Sequence, residues 1–258
     1  MVSRKGFGVV VQLLNHLGIS YKPHNDNIKC ECLWCGHESL SIEQEAPHVF
    51  QCFSCKASGN AFTFIRKWYD LLPALTKQSA IELASVKKGI KATTFRTLGV
   101  RSYGKDWIIP IYNQKNDLVA LHKYNKGTNI VYNGPKPVSY SLIGSQNMSN
   151  NDTVYIAEGH WDYMIMSQLI SLEDYDLVGS CGSYFPSNLL PMLKEKHVIV
   201  LFDNDTAGSN GKDYIARNLK TSGVSVRSMS YLDWSKITLP SGTVPDKFDI
   251  RDLANVFA

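Results

Sequence analysis

Four cysteines arranged as two pairs constrain this chain more than any other feature of its sequence. Two residues separate Cys32 from Cys35, two separate Cys52 from Cys55, and sixteen lie between the pairs. Each pair can present two thiolates from a tight turn, and four thiolates close the shell of one tetrahedral ion. The spacing therefore predicts one structural Zn²⁺ in a small ribbon whose folding depends on the metal.

The alternatives at this site are a disulfide framework and a different set of ligands. Five of the six cysteines lie between residues 30 and 55, and such clustering in a cytoplasmic chain favours metal over disulfides. A cytoplasmic location is expected because the sequence has no long apolar run and its start lacks a signal peptide's apolar core. Cys30 and His37 are surplus, and neither is expected to bind the zinc.

Charge is distributed unevenly along the 258 residues, although the net charge is only +4. Residues 61–150 hold thirteen basic and four acidic side chains, whereas residues 151–258 hold nine basic and fourteen acidic ones. A basic middle suits a polyanion such as nucleic acid. The acidic part would repel such a ligand unless its carboxylates hold cations. The alternative is that the asymmetry is chance surface charge.

Strands and helices alternate after residue 150, a pattern typical of parallel βαβ units. Strands are predicted at 153–157, 177–179, 197–202 and 224–229, and helices at 162–169 and 209–220. Before residue 150, the sequence predicts a short helix at 7–17, a helix at 60–69 with Asn60 as its N-cap, and a hairpin of 107–112 with 118–124.

These elements predict an α/β protein in which a small zinc-ribbon domain is joined by a linker to a core with a mostly parallel, Rossmann-like sheet. The predicted boundaries are 1–70 for the ribbon, 71–95 for the linker, 96–150 for a basic subdomain and 151–258 for the sheet.

Acidic side chains follow two of the predicted strands. Glu158 ends the first, with Asp162 four residues later, and Asp203 and Asp205 end the third. Ligands of open parallel sheets bind beyond the carboxyl ends of the strands, so these side chains are expected to meet. Converging carboxylates repel one another unless a cation such as Mg²⁺ or Mn²⁺ lies between them. Taken alone, the Asp-x-Asp pair is also typical of a solvated turn or helix cap.

The cysteine-rich segment and the segments that carry the acidic strand ends all resemble one known family. The segment Phe50–Ala61, with the sequence FQCFSCKASGNA, resembles the second zinc knuckle of bacterial and phage DnaG-type primases. The first knuckle, Cys32–Cys35, fits the four-cysteine phage members, since many bacterial members have histidine at the second position. The strand–Glu158–Gly159 motif and the strand–Asp203-x-Asp205-x-Ala-Gly motif together resemble the TOPRIM domain of that family.

The resemblance is looser elsewhere. Residues 107–111, 132–136 and 141–144 are similar to segments of the family's basic subdomain, but the usual glycines are absent and Lys123 stands where arginine is usual. Residues 246–253 are similar to a late acidic motif with altered spacing, in which Asp249 is the residue expected on the metal side.

The resemblance implies a DNA primase that makes short RNA primers on single-stranded DNA by metal-dependent nucleotidyl transfer. It implies ribonucleoside triphosphates as substrates and a replicative helicase as a partner. The implied residues are Glu158, Asp203 and Asp205 for catalysis, these three and Asp249 for magnesium, Asp162 as a supporting acid, and Lys123, Lys136 and Trp34 for nucleotide or template. For Trp34 the alternative is packing on the ribbon, and for the two lysines it is a solvated surface position.

Two other functions fit the same motifs. A TOPRIM nuclease would use the carboxylates and the cations to cleave DNA. A RecR-like clamp would use the zinc ribbon and the TOPRIM domain for DNA binding without catalysis.

Overall fold

The computed structural model describes residues 11, 14–15, 18–43, 49–125, 128–133, 142–149, 151–180 and 182–256. They fall into two compact units, one built from residues up to 73 with 101–110 and 118–138, the other from 74–100, 111–117 and 139–258. Most of the helix predicted at 7–17, and also Lys136, lie outside the described residues. In the part of the chain that is described, no helix is both long and apolar enough to cross a lipid bilayer.

The cysteine-rich part of the first unit is an antiparallel sheet. Within the described residues its order is β1 (Tyr21–His24), β2 (Asn27–Cys30), β3 (Leu40–Glu43), β4 (Phe50–Cys52) and β5 (Ser58–Gly59). In β2, β3 and β4 alternate side chains are buried, as the two-residue period of a strand requires. Helix α1 (Ala61–Leu71) follows, and Asn60 caps it by accepting the Thr63 N–H at 3.1 Å, as predicted. Phe64 of α1 packs edge-on against Phe50 at 5.2 Å.

A second sheet of this unit contains the predicted hairpin. Its order is β6 (Arg101–Tyr103), β7 (Asp106–Tyr112), β8 (Leu118–Asn125) and β9 (Thr128–Asn133) among the described residues. β7 and β8 are neighbours in this sheet, which confirms the hairpin.

The second unit holds the predicted parallel sheet. Its strands are β10 (Thr153–Ala157), β11 (Asp176–Gly179), β12 (His197–Leu201) and β13 (Ser228–Tyr231), in the order β11-β10-β12-β13. All paired neighbours run parallel. The α/β class with an N-terminal cysteine cluster and a parallel sheet is therefore confirmed.

Helices and one small ribbon surround this sheet. They are α2 (Lys77–Val86), α3 (Ala92–Thr97), α4 (His160–Leu169), α5 (Thr206–Ser222), α6 (Ile250–Val256) and the strand pair β14 (Thr238–Leu239) and β15 (Gly242–Thr243). Two of them, α2 and α3, occupy much of the segment 71–95 for which a flexible linker was predicted, and the domain boundaries themselves stay a prediction.

The last strand of the sheet is shifted from its predicted place. Residues 224–229 were expected to form it, but the strand spans Ser228–Tyr231. Val224 and Val226 pack against the hydrophobic core before the strand begins. Their apolar side chains therefore produced a strand pattern where the backbone does not yet join the sheet.

The register of the sheet aligns the strand ends. Ala157, the last residue of β10, lies opposite Gly179 of β11 and opposite Leu201 of β12. Val154, Ile156, Val178, Val198 and Val200 have no exposed surface and hold this alignment from within the core. The residues that immediately follow the three strands consequently emerge at one edge.

Candidate metal centres and acidic site

The four predicted zinc ligands converge. The Sγ atoms of Cys32, Cys35, Cys52 and Cys55 all lie within 4.8 Å of one another. Each pair sits on a tight turn, because the Gly36 N–H donates to the Cys32 carbonyl at 2.8 Å and the Lys56 N–H donates to the Cys52 carbonyl at 3.0 Å. Both turn residues have left-handed backbones, with φ of 72° at Gly36 and 64° at Lys56. Four thiols in this arrangement suit a tetrahedral ion.

Neither surplus side chain belongs to the described metal-binding group. Cys30 is buried at the end of β2, where burial and the nearby Glu31 carboxylate raise the pKa of its thiol to about 11. It therefore stays a neutral thiol at neutral pH. His37 is exposed, and its backbone carbonyl accepts the Cys32 N–H at 2.9 Å. Its backbone thus supports the first knuckle.

Trp34 packs on the ribbon. Its ring stacks on Phe50 at 5.7 Å and meets the edge of Phe64 at 5.4 Å, and the ammonium of Lys67 lies 5.6 Å from its centroid. The packing alternative therefore describes this side chain, and contact with a nucleic-acid base stays a prediction.

Lys123 is held in an ion pair. Its Nζ lies 2.6 Å from Oδ2 of Asp106, and the two side chains are only 14% and 11% exposed. In this arrangement the ammonium is paired with a carboxylate, and contact of Lys123 with nucleic acid stays a prediction. Asp106 lies on the neighbouring strand β7, and this ion pair was not evident from the sequence.

The two acidic strand ends meet. The backbone N–H of Asp203 donates to Oε2 of Glu158 at 2.9 Å, which joins the end of β10 to the end of β12. Asp205 caps α5 by accepting the Gly208 N–H at 2.7 Å. A Cβ at Gly208 would lie 2.3 Å from the Asp203 carbonyl oxygen, so glycine is required where the helix approaches the strand end.

Asp249 lies at the start of α6 with both carboxylate oxygens engaged. Oδ1 accepts the Asp252 N–H at 2.7 Å, and Oδ2 accepts from the guanidinium of Arg251 at 2.7 Å. Asp249 therefore caps this helix through its Oδ1.

Asn204, between the two aspartates, is a positioning residue that the sequence analysis missed. Its N–H donates to the Phe248 carbonyl, its carbonyl accepts the Lys247 N–H, and its side-chain amide donates to the Pro245 carbonyl, each at 2.8 Å. The segment that ends at Asp249 is thus fastened to the Asp-x-Asp motif. An asparagine between aspartates looks like an ordinary turn, so no signal in the sequence marks this role.

The carboxyl groups of this site hold their protons more tightly than usual. Burial, followed by the charges of Glu158 and Asp162, raises the pKa of Asp203 to about 8. Burial, followed by the charge of Asp249, raises the pKa of Asp162 to about 7. Burial also raises the pKa values of Glu158 and Asp249. Burial and the neighbouring carboxylates therefore outweigh the positive charge of Arg251, whose guanidinium is bound to Asp249.

This donor set fits a hard divalent cation. Oδ1 of Asp162 and Oδ1 of Asp203 are buried without a hydrogen-bond partner in the protein, and such orphaned oxygens are the ligands that Mg²⁺ prefers. Among the described residues, three or more carboxylates do not converge as closely as the four thiols do. An ion here would thus take one or two carboxylates directly and reach the others through water, as Mg²⁺ commonly does.

The raised pKa values predict how stability depends on pH when no divalent cation is bound at the carboxylates. Asp203 binds its proton up to about pH 8 in the folded state, against an ordinary pKa of 3.8. Because the folded state then binds more protons than the unfolded state, stability should fall as pH rises from about 4 to about 8. Thermal unfolding of zinc-loaded protein across this range should show the decline, and Asp203→Asn should flatten it. A wild-type stability that rises over the same range would contradict the assignment.

Known proteins share parts of this architecture. Residues 155–237 match the model of the Toprim-like family. The chain contains a Toprim-like domain. An uncharacterised protein of Mycoplasma genitalium, MG010, is 28% identical over 123 residues, which cover 45% of this chain and 55% of that protein. The matched region thus spans about half the length of this curated relative.

Solved primase structures share the fold. The RNA polymerase domain of Mycobacterium tuberculosis primase DnaG superposes with a TM-score of 0.53 at 14% identity, covering 75% of this chain and 77% of that one. The Escherichia coli primase catalytic core gives 0.50 at 14% identity, with 74% of each chain covered. A DnaG primase catalytic domain bound to single-stranded DNA gives 0.50 at 13% identity, covering 76% and 75%. The predicted resemblance to DnaG-type primases is confirmed for the fold.

Proposed function

We propose that this chain is a DNA primase that synthesises short RNA primers on single-stranded DNA. The observation that carries the proposal is the meeting of Glu158 and Asp203 across two strand ends of the Toprim-like sheet, beside buried carboxylate oxygens that lack partners. The cysteine cluster would hold one structural Zn²⁺, and the carboxylates would hold Mg²⁺ or Mn²⁺.

Each acidic residue has a role in this proposal. Asp203, together with Glu158 and Asp205, would hold the divalent cation, and Asp162 and Asp249 would complete the negative field around it. When bound, the cation neutralises phosphate charge and orients a ribonucleoside triphosphate. Glu158 would also be the carboxylate that accepts the proton of the attacking hydroxyl.

The reaction joins a 3′ oxygen to the α-phosphorus of the incoming ribonucleotide. The bond between that phosphorus and the leaving pyrophosphate breaks, and the hydroxyl proton passes to the carboxylate or to water. Asn204 keeps the Asp249 segment at the site, and Glu158 is held by the Asp203 N–H, so the acidic groups keep fixed places while charge moves through the phosphates.

Single-stranded DNA is the proposed template. The thirteen basic side chains against four acidic ones in residues 61–150 would attract its phosphates, and one of the similar catalytic domains is itself described as bound to single-stranded DNA. A cytoplasmic location and contact with a replicative helicase complete the proposal.

A single incubation separates this function from its two rivals. Purified, zinc-loaded protein is incubated with single-stranded DNA, the four ribonucleoside triphosphates and Mg²⁺, and nucleic-acid products are resolved by length. New RNA that depends on both template and ribonucleotides supports a primase. Cleaved template without RNA would indicate a nuclease, and retained DNA with neither product would indicate a binding clamp, so either outcome would overturn the proposal.

A further inference from the structure

The loop between α2 and α3 is fastened to α4, the helix that carries Asp162. Oε1 of Gln168 accepts the Lys91 N–H at 2.6 Å and the Thr94 hydroxyl at 2.8 Å, while its Nε2 donates to the Gly89 carbonyl at 3.1 Å. One side chain thus holds two points of the loop and the first turn of α3. The loop is therefore held in a fixed position next to α4 and so next to the acidic site.

Close packing at Gly89 restricts the same loop. Its φ is 86°, and a Cβ there would lie 2.9 Å from Oδ1 of Asn255 on α6 and 3.0 Å from Cδ1 of Ile165 on α4. The loop therefore passes between the helix that carries Asp162 and the helix that Asp249 caps. The first side chain of the loop is therefore restricted in position next to the helices of Asp162 and Asp249.

Lys87 is that side chain. Its backbone N–H ends α2 by donating to the Leu83 carbonyl at 2.8 Å, and its ammonium lies 4.3 Å from the ring centroid of Trp161, the residue before Asp162. An ammonium over an indole face is attracted by the negative face of the ring. Burial and the Arg251 charge lower the pKa of Lys87, whereas Asp249 and Asp162 oppose that change. The Lys87 charge is thus felt by both carboxylates.

Arg251 and Lys87 both carry positive charge in this region, but they make different contacts. The guanidinium of Arg251 is engaged by Oδ2 of Asp249 at 2.7 Å. The Lys87 ammonium lies over the Trp161 ring, and Asp249 and Asp162 are among the charges that act on its pKa. A fixed positive charge here repels an entering divalent cation and attracts an entering triphosphate.

We propose that Lys87 is a positioning residue that makes the acidic site favour a metal–nucleotide complex over the free metal ion. By supplying positive charge to Asp162 and Asp249 it weakens binding of the cation alone. The same charge strengthens binding of the cation with a triphosphate. This inference rests on the proposed function of the acidic site, because it takes a nucleoside triphosphate as the ligand.

The test compares Mn²⁺ and nucleotide binding in matched variants of the full, zinc-loaded chain. Lys87→Met removes the charge and keeps an apolar stem over Trp161, Lys87→Arg keeps the charge, and Lys88→Met removes a charge from the exposed neighbouring position. Calorimetric titration with Mn²⁺ alone should show roughly three- to tenfold tighter binding in Lys87→Met, since unit charges about 4 Å apart interact by about 1 kcal/mol when water screens them. Titration with ATP at saturating Mn²⁺ should show a similar weakening.

The opposite signs of these two shifts distinguish the proposal from a structural role. A purely structural lysine would weaken both kinds of binding when replaced, and Lys87→Arg and Lys88→Met should stay within about twofold of wild type in both titrations. Unchanged or weaker Mn²⁺ binding in folded Lys87→Met would overturn the inference and leave the proposed function standing. If wild-type Mn²⁺ binding does not depend on Asp203, both the inference and the magnesium site fail.

Discussion

Replacing Cys52 with serine is expected to release the zinc and to unfold residues 21–59, while the sheet β10–β13 stays folded. Cys52 is completely buried in β4, and its thiol is one of the four converging ligands. A serine hydroxyl does not replace a thiolate on zinc, and a structural zinc contributes about 10–16 kcal/mol to the folding of such small ribbons. That is as large as the entire stability of many domains, about 5–15 kcal/mol.

Zinc content and amide protection measure this effect. Wild-type protein should carry one zinc per chain by elemental analysis, and Cys52→Ser should carry almost none. Hydrogen exchange should become fast in β2 to β4 and stay slow in β10 and β12. Cys30→Ser is the matched control, since it makes the same change at a buried strand position and should keep the metal. A full complement of zinc in Cys52→Ser would refute the ligand assignment.

Replacing Asp203 with asparagine should lower primer synthesis by more than about a thousandfold, which corresponds to about 4 kcal/mol of transition-state stabilisation. The substitution keeps the shape of the side chain but removes the charge that would bind the cation. The zinc content should not change. In contrast to most losses of function, this one should leave the cation-free protein at least as stable as wild type at neutral pH. The reason is that burial, followed by the charges of Glu158, Asp162 and Asp249, raises the pKa of Asp203 and so opposes its ionised form.

Initial rates and thermal unfolding should be measured on the same preparations. Asp213→Asn is the control, because Asp213 is an exposed residue of α5 and its replacement removes the same charge. It should retain the wild-type rate. An Asp203→Asn protein with a rate within tenfold of wild type would show that the chemistry takes place elsewhere.

The sequence predicts best those features that depend on local spacing. Two Cys-x2-Cys pairs define two turns, and the antiparallel ribbon needs little further information to bring four thiols together. Similarly, Glu158 and Asp203 each follow an apolar run, and the parallel pairing of those runs places both at one edge. In both cases the chemistry of the residues and their distance along the chain were enough.

The contacts of individual charged side chains were not predictable in this way. Asp249 is predicted on the metal side, but the sequence did not show that its oxygens accept hydrogen bonds from Asp252 and Arg251. Lys123 is predicted to face nucleic acid, but the sequence did not show that its ammonium pairs with Asp106. Each of these outcomes depends on which charged side chains share a partly buried place, and a single sequence does not contain that information.

Residues that hold others in place were also missed. Asn204 acts through two backbone hydrogen bonds and one side-chain hydrogen bond to a segment some forty residues later. Gln168 acts through two hydrogen bonds to a loop and one to the helix after it, all to residues that precede it by more than seventy positions. Both are amides without a motif, and only the tertiary structure identifies their contacts.

The central claim is that the acidic edge of the parallel sheet joins ribonucleotides on a DNA template. The most direct measurement counts labelled ribonucleotide incorporated on single-stranded DNA of defined sequence and the pyrophosphate released in the same reaction. We expect incorporation of the complementary ribonucleotide alone, one pyrophosphate for each bond formed, and neither product with Asp203→Asn. Template-independent incorporation, or incorporation that survives in Asp203→Asn, would contradict it.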